Sequence, residues 1–356
     1  MILTLEQQMQ HLQHVSRSFA LTIPLLPPLL ADWVGHAYLL CRIVDTLEDD
    51  PALNPNHKCL LIHQFLQFLA SDNDDASLWA HGLTSQLHPA TRPAELSLLA
   101  DIPAVLARYR TYPDNVRNIL LRGVRIMGAG MVAQQHQQTN PDQLALDRYC
   151  YAVAGVVGEL LTDLFCVYVP TLLPLRDRLL ELSVSFGEGL QLTNILKDLH
   201  EDASRGVCWL PLSCLTQQGL TVENLSSAAL ERQSAVLCQQ LALAHGHLQD
   251  ALQFCLLLPR REQGMRQFCL IAIAMAFATL QRIHAQPDFR AASEVKITRR
   301  QVRRIVLACR LLGYSNTLLR RYFSRWQMKL PLQQRDPATL WHEVSHWQNE
   351  ETDPCR

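Results

Sequence analysis

Apolar residues recur along this chain at three- and four-residue intervals, and no sustained alternation flanked by hairpin turns argues for a sheet. The pattern predicts an all-α fold. Residues 4–15 read as a weakly amphipathic helix, interrupted by Ser16-Arg17-Ser18 ahead of Phe19. Pro24, Pro27 and Pro28 break the next apolar run, and a helix is expected from Leu29 or Leu30 to Asp50, closed by Pro51. Two or three helices are predicted between Asn54 and Asp114, then one from Asn115 to Gln137 in which Gly123, Gly128 and Gly130 mark close backbone approach or room beside a cavity. Asp147–Val169 is strongly apolar, and Ala152, Ala154, Gly155 and Gly158 give it a small-residue face suited to a tight helix crossing or a smooth channel. A helix over Ser183–Ala203 should stop at Gly206 and Pro211. Residues 219–258 read as an amphipathic helix pair, and the charge-free stretch Phe268–Leu280 as a buried core helix, short of the roughly 20 residues a bilayer requires. No repeat or low-complexity stretch stands out, so one large helical domain over 1–330 with a polar tail over 331–356 is expected.

Composition narrows the setting. With 356 residues and 48% hydrophobic content the chain can bury a large core. A formal net charge of −1 gives no global pull toward nucleic acid, and no nucleic-acid partner is expected. The eleven cysteines show no metal-type spacing and read as small buried hydrophobes in a reducing compartment. The stretch from Met1 to Gln8 lacks a basic region leading into an apolar run, so a cytoplasmic location without signal peptide or transmembrane anchor is the expectation. Locally, Lys296, Arg299, Arg300, Arg303, Arg304, Arg320, Arg321 and Arg325 suit either a solvated face or peripheral contact with the inner face of a membrane.

Two acidic stretches carry the candidate chemistry. In Asp45-Thr46-Leu47-Glu48-Asp49-Asp50 a helix places Asp45, Glu48 and Asp49 within an arc of about 100° on one face. Asp198, Glu201 and Asp202 repeat that spacing, with Asn194 one turn and Gln191 two turns earlier. Stacked carboxylates repel by a few tenths of a kcal/mol per pair, so a compensating cation is called for. Hard oxygen donors suit Mg²⁺, which is bound through one or two carboxylates plus waters and phosphate oxygens. Tyr38 and Arg42 precede the first stretch, while Lys197 and Arg205 bracket the second. The competing reading is a pair of solvated acidic helix ends.

Five segments, Ser16-Arg17-Ser18-Phe19, Asp45 to Asp50, Met127 to Met131, Tyr149 to Gly155 and Asn194 to Asp202, occur in the order of the squalene/phytoene synthase family, which the chain resembles over about residues 10–310. The form Asp-Thr-Leu-Glu-Asp-Asp is more similar to the squalene synthases of that family than to the phytoene synthases. The resemblance implies the isoprenoid synthase fold with a central cavity. It also implies head-to-head joining of two farnesyl diphosphates through presqualene diphosphate, followed by NADPH-dependent reduction to squalene. On this reading Asp45, Glu48, Asp49, Asn194, Asp198, Glu201 and Asp202 hold Mg²⁺. Ser16, Arg17, Ser18, Phe19, Arg42, Gln191, Asn194, Lys197 and Arg205 bind substrate. Tyr38, Arg42, Tyr149 and Tyr151 are the catalytic candidates, because rings stabilise carbocations and phenols relay protons. Phe268, Lys296 and Arg299 lie in segments similar to those near the nicotinamide, with Lys296 and Arg299 expected on one helix start capped by Ser293. No Gly-x-Gly-x-x-Gly follows a strand, so no Rossmann domain is expected. One departure leaves the product open: Ala152 stands where many squalene synthases carry a tyrosine, and here the chain is more like dehydrosqualene synthases, which omit the reduction.

Overall fold

A computed structural model describes residues 2–16, 19–72, 75–134, 139–225, 229–327 and 329–345. Its described residues are helical nearly throughout; the strands are two short parallel ones, Thr139–Asn140 and Cys208–Pro211. The all-α expectation holds. The internal contacts divide into two compact units, residues 1–136 with 160–173, and residues 137–159 with 174–352.

The first unit is built on the helix Pro28–Asp49, the first acidic helix, which opens with proline at its first turn. Leu39, Leu40, Ile43, Val44 and Leu47 fall at the three- and four-residue spacing of one face, and all are fully buried. Each such side chain contributes about 1.5–3 kcal/mol on burial. Helices Leu5–Val15, Pro55–Ala70 and Asp114–Gln134 pack around it. Between Asn54 and Asp114 there are four α-helices, one more than the upper expectation, because Asp101 turns the chain between Pro93–Ala100 and Ile102–Tyr109. Arg108 bonds Asp32 at 2.8 Å and the Leu3 carbonyl at 2.9 Å. Arg110 bonds the Ser71 carbonyl at 2.9 Å, so both arginines tie helices together. A Cβ on Gly123 would sit 2.6 Å from Leu160 Cδ1, and one on Gly128 3.0 Å from Leu66, which makes these glycines contact points between helices.

The second unit is organised on Arg176–Ser204, the second acidic helix, which begins seven residues before the predicted Ser183. It packs along Leu230–Leu257, a single helix of 28 residues where a pair was expected; turns occupy 218–219 and 222–225, and no proline interrupts residues 230–257. The apolar run Asp147–Val169 resolves into Gln143–Cys150, a π-turn over Tyr151–Gly155, and Val156–Tyr168. A Cβ on Gly158 would meet the Ser183 carbonyl oxygen at 2.2 Å and one on Gly187 the Ala154 oxygen at 2.4 Å, so the small-residue face makes a tight helix crossing. The core helix extends over Gln263–Ala285, longer than predicted. It and Gln143–Tyr168 have the length and composition to cross a membrane, with 61% and 67% of their most apolar windows buried. Within the segment read as a polar tail, Pro337–Ser345 is a helix that buries Pro337, Leu340 and Val344 against the second acidic helix. None of the ten cysteines among the described residues forms a disulfide.

Candidate active site

On the first acidic helix, Arg42 Nη1 donates to Asp45 Oδ2 at 3.1 Å, and Nη2 donates to Glu95, which also accepts from Arg92. Burial, then the neighbouring Asp49 charge, pushes the Asp45 carboxyl up to about 6 against the pull of Arg42. Glu48 is half-buried beside Lys58, whose ammonium bonds the Glu48 backbone carbonyl, and Asp49 is exposed. The next carboxylate does different work. Asp50 is 3% exposed and accepts from the amides of Ala52 and His88 and, at 2.7 Å, from the Thr91 hydroxyl, pinning the turn over residues 88–91.

One and two turns earlier on the same helix, the structure gathers further candidates. Ser16 Oγ accepts the Phe19 amide at 3.0 Å, the Phe19 ring lies 5.3 Å from that of Tyr38, and the Tyr38 hydroxyl donates to the Val15 carbonyl at 3.4 Å. Burial raises the Tyr38 phenol above its ordinary value, partly offset by a hydrogen bond with Ser16. Ser16, Phe19, Tyr38, Arg42 and Asp45 thus form one continuous strip. Arg17 and Ser18 lie outside the described residues.

The second acidic face sits at the end of its helix. Lys197 Nζ lies 3.1 Å from Asp198 Oδ2 and 3.4 Å from Asn194 Oδ1, while the exposed Arg205 bonds Asp202. Burial raises the Asp202 carboxyl, with Arg205 opposing. Glu201 is exposed and its Oε1 accepts the Ala292 amide at 3.3 Å; Gln191 is half-buried two turns back. Gly206, at φ +76°, takes the left-handed conformation that stops the helix. All the acidic donors of both faces are carboxylate oxygens, a set that fits a hard divalent cation. Among the described residues no three His, Cys, Asp or Glu side chains are gathered closely enough to hold a metal ion.

The two tyrosines part company. Tyr149 is half-buried and stacks on Trp209 with centroids 4.2 Å apart and planes at 7°. Tyr151 is fully buried and its hydroxyl donates to Glu159 Oε1 at 3.2 Å, an oxygen that also takes the Trp341 indole N–H at 2.7 Å. Phe268 is buried in the core helix, whereas Lys296 and Arg299 are exposed. These two cations do not share a helix start. Thr298 and Gln301 form a reciprocal capping box, so the helix opens at Arg299 and Lys296 lies in extended backbone behind it. Sequence reasoning missed Glu95, which nothing local marks, and Trp209, which its place in the turn after the second acidic stretch could have signalled.

Residues 12–301 match the family described as squalene/phytoene synthase. The chain belongs to this family. It is 31% identical over 277 residues to the squalene synthase of Eremothecium gossypii, an alignment covering 76% of this chain and 60% of that protein. The chain therefore spans about three fifths of that relative's length. Among solved structures, TcSQS bound to the ligand BPH1237 superposes with a TM-score of 0.72 at 22% identity, covering 97% of this chain and 98% of that one. A ligand-bound dehydrosqualene synthase gives 0.62 at 18% identity, covering 90% and 96%. At these identities the likeness is one of fold.

Proposed function

We propose that the protein is a squalene synthase, a prenyltransferase that condenses two farnesyl diphosphates to presqualene diphosphate and reduces this with NADPH to squalene. The observation that carries the reading is the presence of two separate helix faces, each aligning three carboxylates beside side-chain cations. Departure of an allylic diphosphate leaves a carbocation, so the leaving group needs positive charge and the cation needs an apolar, electron-rich surround. Asp45, Glu48 and Asp49 on one face, with Asn194, Asp198, Glu201 and Asp202 on the other, would hold Mg²⁺, which when bound supplies charge neutralisation for diphosphate oxygens.

The chain's own cations complete that task. Lys197, held by Asp198 and Asn194, and Arg205, held by Asp202, can turn onto phosphate, with Arg42, Ser16, Arg17, Ser18 and Gln191 as further substrate contacts. Trp209 fixes the Tyr149 ring, whose quadrupole would favour a nearby cation. Tyr38, beside Phe19 and kept protonated by burial, is the candidate to hold or relay a proton. We assign Tyr151 to supporting Glu159 from within the core. Lys296 and Arg299, on either side of the Thr298 cap, are assigned to the phosphates of NADPH, with Phe268 near the nicotinamide.

A second reading, a dehydrosqualene synthase, is favoured by Ala152, which sits buried in the π-turn and offers no phenol. Incubation with farnesyl diphosphate and Mg²⁺, with and without NADPH, separates the two. Squalene only when NADPH is present is the expected result. Dehydrosqualene at every NADPH concentration would replace the first reading by the second, and absence of pyrophosphate release would remove both.

A further inference from the structure

Charge in this chain is segregated in a way its total conceals. From Val295 to Arg335 there are eleven Lys and Arg and no Asp or Glu, while the chain as a whole carries −1, so everything else amounts to −12 (−1 minus 11). In the second unit this acid-free segment forms the helices Arg299–Leu312 and Asn316–Gln327. Ile305 and Cys309 face inward on the first and Leu319 and Phe323 on the second. The opposite faces are not simply polar. Leu307 is 56% exposed, Leu311 65%, Tyr314 62% and Leu318 44%, four large apolar side chains within twelve residues. At 100° per residue, Arg303 and Arg304 lie one turn before Leu307 and Arg310 beside it, while Arg321 lies one turn after Leu318. Among the described residues, none of the Lys and Arg from Lys296 to Lys329 pairs with a carboxylate. Leu307 and Leu311 lie one turn apart on the same exposed face, flanked by arginines with no acid between them, and a face so built matches a surface that is both apolar and anionic.

We infer that the outer face of Arg299–Leu312 and Asn316–Gln327 is a docking surface for an anionic phospholipid bilayer. The apolar crest would enter the headgroup boundary, and the arginines around it would meet lipid phosphates, the arrangement of an interfacial amphipathic helix. A neighbouring recess fits the same partner: a cavity of about 510 Å³ lined by Arg282, Arg304, Lys329, Tyr322 and Trp326, with no carboxylate on its wall, offers cations and aromatic rings at headgroup level. The inference rests on this surface and deepens the proposed function, whose hydrocarbon product belongs in a bilayer.

The test is flotation of the full chain, without substrate, with vesicles of phosphatidylcholine mixed with phosphatidylglycerol and with vesicles of phosphatidylcholine alone. Because no turnover is read, failure here is separate from failure of the enzymatic reading. Wild type should bind the anionic vesicles and be released by salt. The double variant Arg303→Glu with Arg310→Glu should lose at least about tenfold in partitioning, and Leu307→Ser with Leu311→Ser about fivefold. All four positions are exposed, and an unchanged thermal melt checks that each variant is folded. No binding at low salt, or binding that neither variant weakens, overturns the inference. So does a leucine-dependent dimer that ignores vesicles, or tighter binding to double-stranded DNA than to anionic lipid.

Discussion

The two acidic helices share one spelling and differ in how their charge is held. On the first, Arg42 is clamped between Asp45 and Glu95, a carboxylate 8% exposed on another helix, and its position is fixed before any ligand arrives. On the second, Lys197 and Arg205 lean on acids one and three residues away, at the end of the helix, and Arg205 is exposed. The first face is preorganised at the cost of desolvating Asp45; the second keeps movable cations. Identical i, i+3, i+4 carboxylates can therefore serve as a rigid platform in one place and an adaptable grip in another.

The largest effect should come from removing either platform. Asp45→Ala and Asp198→Ala are each expected to cut pyrophosphate release from farnesyl diphosphate by about three orders of magnitude, with melting curves kept within a few degrees. A variant retaining near wild-type turnover at saturating Mg²⁺ would remove its helix from the site. A smaller effect should distinguish the two sets of cations. Arg42→Ala leaves Glu95 short of a partner and should cost about 2 kcal/mol of stability in chemical denaturation. Lys197→Ala with Arg205→Ala should change stability by less than about 0.5 kcal/mol while raising the KM for farnesyl diphosphate about tenfold. Equal stability losses would erase the contrast.

The smallest effect is a pH dependence. Asp45 titrates near 6 in the folded protein against an ordinary 3.8, so its ionised form favours unfolding. This group's contribution to stability is complete below the lower value and is lost as pH rises through about 6. Asp45→Asn should accordingly raise Tm by about 1–2 °C at pH 8 and by much less at pH 4.5, a modest figure because the carboxylate remains 37% exposed. A Tm gain that is the same at both values would contradict the desolvation account.

Much of the fold was written in periodicity. Leu39, Leu40, Ile43, Val44 and Leu47 announce both the first acidic helix and the side it buries. The clustering of Ser16, Phe19 and Tyr38 was accessible only through the order of family motifs, since no local rule brings residue 19 to residue 38. What stayed hidden depends on tertiary pairing. Glu95 is an unremarkable acid near a helix start until Arg42 reaches it, and the surroundings of Tyr149 and Tyr151 diverge because a π-turn begins between them. The misplaced start near Lys296 was legible after all: Thr298-Arg299-Arg300-Gln301 spells a capping box, whereas Ser293 is followed three residues on by Lys296 and lies inside the short helix Ala292–Val295.

Residues 331–345 look dispensable by composition, yet Arg335 reaches the buried Asp147, Trp341 donates to Glu159, and the Gln333 amide bonds the Ala242 carbonyl at 3.0 Å. During synthesis these groups leave the ribosome after the helices of the second unit on which they pack. Until they arrive, the Asp147 carboxylate lacks the Arg335 guanidinium and the face of the second acidic helix that Pro337–Ser345 covers stands open to water. That unit can reach its native state only once residues 331–345 have emerged, and a nascent chain stalled before Pro331 would present its unfinished face to chaperones.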